Sequence, residues 1–303
     1  MATDAKAVVG APVTATASRR SFKPRYPAWL TAPSLLYYLV FFVAPMGILA
    51  AFSVAVQSGF ASVSYTVDWS QFSQVWDPVT ISVFWHTLLM ATAGTLGTIL
   101  IGYPIAYWIS RYLTTYKSLA LVLIILPFWT SFLIRTYSWL IILDDDGYVS
   151  RFFAWLGITT PHHLGVLYTW KAIGIGLVYN YLPLLILPVY ASLERMDWTL
   201  VAAATDLGAK PFTAFRQITL RLTLPGLVTG ALLVFIPMTG EYVIPNLLGG
   251  GKFEFVGNLI GDTFLSAANY PLGSALAMAL MGVLSVFVVL YIFVATREEQ
   301  FGA

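Results

Sequence analysis

The sequence predicts an all-α protein that crosses a membrane several times, with six transmembrane helices and a helical loop between the fourth and fifth. Two observations on the whole chain support this fold class. Of its 303 residues, 58% are hydrophobic and only 10% are charged, whereas soluble domains carry about 25% charged residues. The mean hydropathy is +0.78, and the apolar residues form long runs. The chain has too little polar surface to dissolve in water.

Six segments meet or approach the roughly 20 apolar residues that a helix needs to cross the hydrocarbon core. The fifth differs from the others because Pro237, Glu241 and Pro245 interrupt it. We expect a broken helix there, since proline lacks the N–H that an interior helical position uses. The predicted spans are 29–56, 83–109, 118–143, 172–193, 224–248 and 274–295, which make residues 29–295 one membrane domain.

Basic residues predict how the chain lies across the membrane. Residues 1–28 are small, polar and basic, without the apolar run of a signal peptide, and we expect a disordered tail. This tail, the turn after the second span, the 194–223 loop and the C-terminal residues 296–303 together hold twelve of the 16 Lys and Arg residues. Because loops rich in Lys and Arg stay in the cytoplasm, both termini and the 194–223 loop are predicted to be cytoplasmic.

The 194–223 loop is predicted to form two short helices joined by a hinge. Asp197 can cap the first helix, Gly208 stands where its end needs a positive φ, and Pro211 suits the first turn of the second helix. Such amphipathic helices either lie on lipid or dock a soluble partner. The apolar faces consist of Leu200, Val201, Ala204 and Leu207 in the first helix, and Phe212, Phe215 and Ile218 in the second.

Within this loop, the run 202–208 (AAATDLG) is followed ten residues later by Ile218. The spacing resembles the cytoplasmic loop of permeases in ATP-binding-cassette importers: Glu-Ala-Ala, three residues, Gly, nine residues, Ile, one residue, Leu-Pro. Ala202 stands where that family has glutamate, and Arg221 where it has proline. In the family this loop is the coupling helix, which fits a groove on the ATPase subunit. The resemblance implies the same role here for Ala202, Ala203, Ala204, Asp206, Leu207, Gly208, Ile218 and Leu220.

Three further segments, 126–139, 181–194 and 240–250, look like the spermidine/putrescine subgroup of these permeases, and the resemblance covers roughly residues 29–295. It implies the type I importer permease fold in a bacterial inner membrane. The chain would form half of a translocation pathway with a second, homologous permease. Two ATPase subunits would carry ATP and Mg²⁺, and an external solute-binding protein would deliver the solute. A polyamine is the implied solute, with an opine, an amino-acid derivative or another small solute as alternatives.

Ionisable side chains inside a span usually face a cavity or a partner. Glu241 lies in the interrupted fifth span, where a carboxylate beside Tyr242 and Asn246 would suit an ammonium group. Tyr181 and Asn180 of the fourth span complete the candidate pathway, although hydrogen bonding between helices explains Asn180 equally well.

Several polar residues keep two interpretations at this stage. Glu241 could instead pair with Arg135 of the third span, or lie in water beyond the membrane core. The carboxylates 144–146 after the third span either attract cations or form a solvated turn. His162 and His163 are adjacent, and neither Cys nor clustered acids complete a metal site, so no metal is expected.

Nothing in the sequence indicates an enzyme. It contains no GxxxxGK(S/T) phosphate-binding loop, no recognisable nucleophile turn and no cysteine, so we expect a non-catalytic subunit without its own cofactor. Two other classes of membrane protein are possible. A secondary transporter or channel predicts internal repeats with paired broken helices, but only one strongly interrupted span is evident. A membrane scaffold leaves the break around Glu241 unexplained.

Overall fold

The computed structural model describes residues 31–157 and 164–301, with side chains described up to residue 293. The predicted tail at 1–28 and the pair His162 and His163 lie outside the described residues. The chain divides into two units, one up to Met46 and one from Gly47 onward. The described part of the first unit is helical and consists of α1 (Ala32–Tyr38), a π-helical turn (Leu39–Val43) and the start of α2 (Ala44–Ser53).

The second unit begins with the end of α2, and a short hairpin that the all-α prediction missed follows it. The first predicted span extends to residue 56, but α2 ends at Ser53 and an antiparallel pair follows, β1 (Val56–Gly59) and β2 (Ser62–Ser64). The remaining elements are α3 (Ser70–Val75), α4 (Pro78–Tyr112), α5 (Lys117–Ile125), α6 (Phe132–Leu143), α7 (Tyr148–Trp155), α8 (Trp170–Arg195), α9 (Thr199–Asp206), α10 (Pro211–Ala214), α11 (Leu220–Thr239), α12 (Val243–Gly249), α13 (Val256–Leu265) and α14 (Tyr270–Phe301).

Among the described residues, five helices are long and apolar enough to cross a membrane, or six if one bent pair counts as a single span. That pair joins Lys117–Trp129 to Phe132–Trp155 at an angle of 92°, so the third span predicted over 118–143 is bent and is not one straight helix. Pro127 lies in the 3₁₀ turn that ends α5, and Thr130 after it is extended. Proline cannot donate the backbone hydrogen bond that would carry the helix through this point.

The fifth predicted span breaks where expected, since α11 ends at Thr239 and α12 begins at Val243. Its start differs from the prediction. The second loop helix is not separate, because α10, a π-helical turn (Phe215–Thr219) and α11 run together as one helix, Pro211–Thr239. A π-helical turn absorbs an extra residue without ending a helix, so no boundary falls near residue 223.

The core of the second unit is formed by α4, α8 and α11. Leu177, Leu185 and Ile186 of α8 are completely buried. On α11, Gly226 and Gly230 lie against α8, and a Cβ at position 226 would stand 2.8 Å from the carbonyl oxygen of Pro188. Small residues four positions apart let helices approach closely inside a membrane. These glycines therefore set the distance between α11 and α8.

Candidate functional site

The 194–223 loop, which the sequence predicts to be a coupling loop and which is called so below, begins with a capped helix. The Asp197 carboxylate accepts hydrogen bonds from the backbone N–H of Thr199 at 2.9 Å and from its hydroxyl at 2.8 Å. These two bonds hold the pKa of Asp197 below its ordinary range, because they favour the ionised form. Gly208 has a φ of +86°, and Pro211 stands in the first turn of α10. The predicted cap and the predicted left-handed helix end are both present.

Most of the residues that were predicted to contact an ATPase lie at the surface of the loop. Ala202, Ala203, Asp206, Leu207 and Gly208 are exposed, whereas Ala204, Ile218 and Leu220 are half-buried. Leu207, at the end of α9, is 90% exposed. Apolar side chains exposed beside polar ones mark a surface that another protein or lipid covers. The geometry of the loop therefore leaves its tip accessible to a partner.

The break between α11 and α12 is organised by Glu241. One carboxylate oxygen, Oε1, accepts hydrogen bonds from the backbone N–H groups of Tyr242, Val243 and Ile244 at 3.1, 2.9 and 3.4 Å. These are among the donors that the first turn of α12 leaves unpaired within the helix. The other oxygen, Oε2, accepts a hydrogen bond of 2.6 Å from the Tyr181 hydroxyl. Glu241 thus caps α12 and ties it to α8.

An open cavity of about 400 Å³ lies beside this carboxylate. Tyr181, Glu241 and Tyr242 were predicted as pathway residues and are brought together in its wall. The sequence did not assign the other lining residues to the pathway, because apolar side chains and glycine carry no signal for binding a cation. They are Phe132, Leu133, Pro237, Gly240 and Val243.

The two remaining pathway candidates lie elsewhere. Asn180 is buried, and its amide donates to the Gly176 carbonyl one turn earlier on α8 at 2.9 Å. Asn246 is exposed on α12 and does not line the cavity. Neither side chain contributes to this wall.

Arg135 and Glu241 both lie in the described part of the chain, and no ion pair joins them. The Arg135 side chain is buried instead of reaching outward, with its guanidinium carbon 5.0 Å from the ring centre of Phe128 and 5.9 Å from that of Phe132. Cation–π contacts of this kind stabilise a desolvated guanidinium. The Glu241 carboxyl group is therefore held in place by hydrogen bonds and not by Arg135.

The three carboxylates after α6 form a turn. Asp144 accepts a hydrogen bond from the backbone N–H of Asp146, and Asp145 accepts one from that of Gly165 at 2.8 Å. Asp144 and Asp146 also line an open cavity of about 420 Å³. In the part of the chain that the structure describes, no group of three or more His, Cys, Asp or Glu side chains could hold a metal ion.

Comparison with known proteins identifies the family of this chain. The family model described as "Binding-protein-dependent transport system inner membrane component" matches residues 98–297. The spermidine/putrescine transport system permease protein PotB of Escherichia coli (strain K12) is 36% identical over 263 residues, which cover 86% of this chain and 94% of that protein. PotB of Haemophilus influenzae is 36% identical over 272 residues, covering 89% of this chain and 93% of that protein.

More distant relatives agree with this placement. The inner membrane ABC transporter permease protein YdcU of Escherichia coli (strain K12) is 28% identical over 285 residues, covering 90% of each chain. A chain of a bacterial ABC transporter involved in the import of the acidic polysaccharide alginate shares the fold, with a TM-score of 0.66 and 18% identity over 89% of this chain and 96% of that chain. This chain therefore belongs to the family of inner-membrane permease components of binding-protein-dependent, ATP-driven importers.

Proposed function

We propose that this permease carries a polyamine, and that the Tyr181–Glu241 wall of the cavity lines its route. The observation that carries the proposal is a carboxylate, only 6% exposed, in the wall of an open cavity at a break in a membrane span. Broken helices at membrane depth are tolerated where they line a cavity or are buried in protein. The relatives that are 36% identical to this chain are named as spermidine/putrescine permeases, which supports the choice of solute.

The chemistry of the wall suits an ammonium group passing along it. Oε1 of Glu241 accepts three backbone hydrogen bonds, while Oε2 accepts one, from Tyr181. Since a carboxylate oxygen has about two acceptor sites, Oε2 would accept a second hydrogen bond from an ammonium group in the cavity. Tyr242, which is 57% exposed, adds an aromatic face, and each cation–π contact contributes roughly 0.5–2 kcal/mol.

A second permease chain would cover this face and supply the other half of the route. Tyr242 and Asn246 are exposed within the predicted fifth span, and Tyr137 and Ser138 are exposed on α6. Polar groups at membrane depth usually face a bundle interior or a water-filled cavity and not lipid. These exposed side chains therefore favour a protein partner over lipid at these positions.

The exposed tip of the coupling loop would dock one of two ATPase subunits, which hold ATP and Mg²⁺ and supply the free energy. This chain would itself be non-catalytic. The docking requires the loop and both chain ends to be cytoplasmic, as the distribution of Lys and Arg predicts. An external solute-binding protein would then deliver the solute to the opposite face, where the hairpin and α13 lie between spans.

Uptake by reconstituted vesicles tests the proposal. The chain is assembled with its partner permease, ATPase and binding protein, and radiolabelled spermidine or putrescine is offered with and without ATP. We expect ATP-dependent uptake that is lost in Gly208→Pro, because proline cannot adopt the φ of +86° found at this position. Uptake of an opine or amino-acid derivative instead would overturn the polyamine assignment and keep the importer. Uptake without ATP would favour a channel or secondary transporter.

A further inference from the structure

Aromatic side chains near the two ends of the coupling loop, its roots, contact another helix. Trp198 immediately precedes α9, and Phe215 begins the π-helical turn that follows α10. Both side chains are half-buried, whereas the tip between them is mostly exposed. A side chain that contacts both rings would therefore restrain the loop at both ends.

A single residue on another helix contacts both rings. The Tyr107 ring of α4 lies 5.8 Å from the Trp198 ring, at an interplanar angle of 72°, and 5.7 Å from the Phe215 ring, at 84°. Both are edge-to-face contacts, the arrangement that the aromatic quadrupole favours. Tyr107 is thus the one described side chain with ring contacts to both roots of the loop.

The residues one turn on either side of Tyr107 continue the contact. Arg111 places its guanidinium carbon 4.8 Å from the centre of the Trp198 ring. Tyr103 meets the Phe215 ring edge-to-face at 5.9 Å, and its hydroxyl lies 2.8 Å from the hydroxyl of Thr223. Residues four apart share one face of a helix, so Tyr103, Tyr107 and Arg111 form a row along α4. We call this row and its two partner rings the aromatic clamp.

We propose that Tyr107 is a positioning residue that makes the coupling loop and α4 move as one body, so that displacement of the loop is transmitted to α4. This rests on the proposed docking of an ATPase at the loop. The loop adjoins α8 and α11 through the chain itself, but α4 is separated from it by more than 80 residues of sequence and contacts it through the clamp and through a hydrogen bond of 3.4 Å from the Ser110 hydroxyl to the Glu194 carboxylate. Since α4 packs on α8 and α11 in the core, a rigid clamp would move the three helices together.

The structure offers a matched pair of variants. No hydrogen bond of the Tyr107 hydroxyl is found among the described residues, so Tyr107→Phe keeps both ring contacts, whereas Tyr107→Leu removes them and stays apolar. In the reconstituted complex we expect Tyr107→Phe to resemble the parent protein. Tyr107→Leu should still bind the ATPase and hydrolyse ATP. The number of ATP molecules hydrolysed per solute imported should rise about tenfold. This is the scale expected for the loss of two edge-to-face contacts. An unchanged ratio, or loss of bound ATPase from Tyr107→Leu, would overturn the transmission role.

A second measurement needs no change at Tyr107. The chain contains no cysteine, so spin labels can be placed on cysteines introduced at the exposed positions Leu100 on α4 and Gln217 in the π-helical turn. The distance between the labels should stay the same with and without ATP if the clamp is rigid. A distance that changes with ATP would refute the clamp. If the parent complex neither binds ATPase nor hydrolyses ATP, the proposed docking is wrong. If it does both but the label distance changes with ATP, the docking stands and the clamp is wrong.

Discussion

Glu241 caps α12 and is proposed to line the solute's route, and two substitutions can separate these two roles. Glu241→Ala removes the acceptor for three backbone N–H groups and for the Tyr181 hydroxyl. Loss of a helix cap costs about 1 kcal/mol, and loss of the Tyr181 hydrogen bond to the carboxylate costs about 1.5–3 kcal/mol, so we expect a loss of about 3 kcal/mol in stability. Glu241→Gln keeps a carbonyl oxygen for the backbone donors and should cost only about 1 kcal/mol.

The same pair of variants separates the effects on transport. A charge about 4 Å from an ammonium group interacts by about 4 kcal/mol at an effective dielectric constant of 20, and desolvation offsets part of it. Removing the charge in Glu241→Gln should therefore lower spermidine uptake by at least about tenfold, which corresponds to about 1.4 kcal/mol. Thermal unfolding in nanodiscs and vesicle uptake measure the two effects. Normal uptake by Glu241→Gln would refute the pathway role and leave only the cap.

Three further predictions concern the loop and the helix contacts that support it. Gly226→Ala should lower the free energy of unfolding by about 2 kcal/mol through overpacking, because its Cβ would meet the α8 backbone. Gly282→Ala, whose Cβ would have nothing within 4 Å, should leave thermal unfolding nearly unchanged. Equal effects of the two variants would contradict the close contact. Gly208→Ala meets no neighbour but keeps a φ of +86°, so it should weaken the loop by about 1 kcal/mol and reduce ATPase binding far less than Gly208→Pro does. The pKa of Asp197 is lowered by its bonds from Thr199, so its cap is complete above about pH 5 and is lost as the pH falls through the depressed folded value. Hydrogen exchange over residues 199–206, corrected for its intrinsic pH dependence, should rise on acidification in the parent chain but not in Asp197→Asn, which caps at every pH.

Local signals predicted the parts of the fold that depend on neighbouring residues. Apolar runs located the spans, because a membrane helix satisfies its backbone internally and needs only length and hydrophobicity. Gly208 and Pro211 predicted the hinge, and Pro237 with Glu241 predicted the break before α12. The 92° bend beside Pro127 was missed, because the residues on both sides of it are apolar and read as one continuous span.

The contacts that build the site join residues far apart in sequence. The Tyr181–Glu241 hydrogen bond links positions 60 residues apart. The sequence predicted both residues, but their contact forms only when α8 packs against the break between α11 and α12. Tyr107 was not singled out, since a tyrosine near the end of a span is ordinarily an interfacial anchor. The positioning role that we propose for Tyr107 rests on its contacts with two rings of the loop, which only the folded structure shows.

Cross-linking from single cysteines tests the docking of an ATPase on the coupling loop most directly. The chain has no cysteine of its own, and Leu207 at the loop tip is 90% exposed, while Phe60 in the hairpin between β1 and β2 is 83% exposed. In the assembled complex, Leu207→Cys should cross-link to an ATPase subunit and Phe60→Cys should not. A complex that hydrolyses ATP but cross-links from position 60, or fails to cross-link from position 207, would contradict docking at the loop.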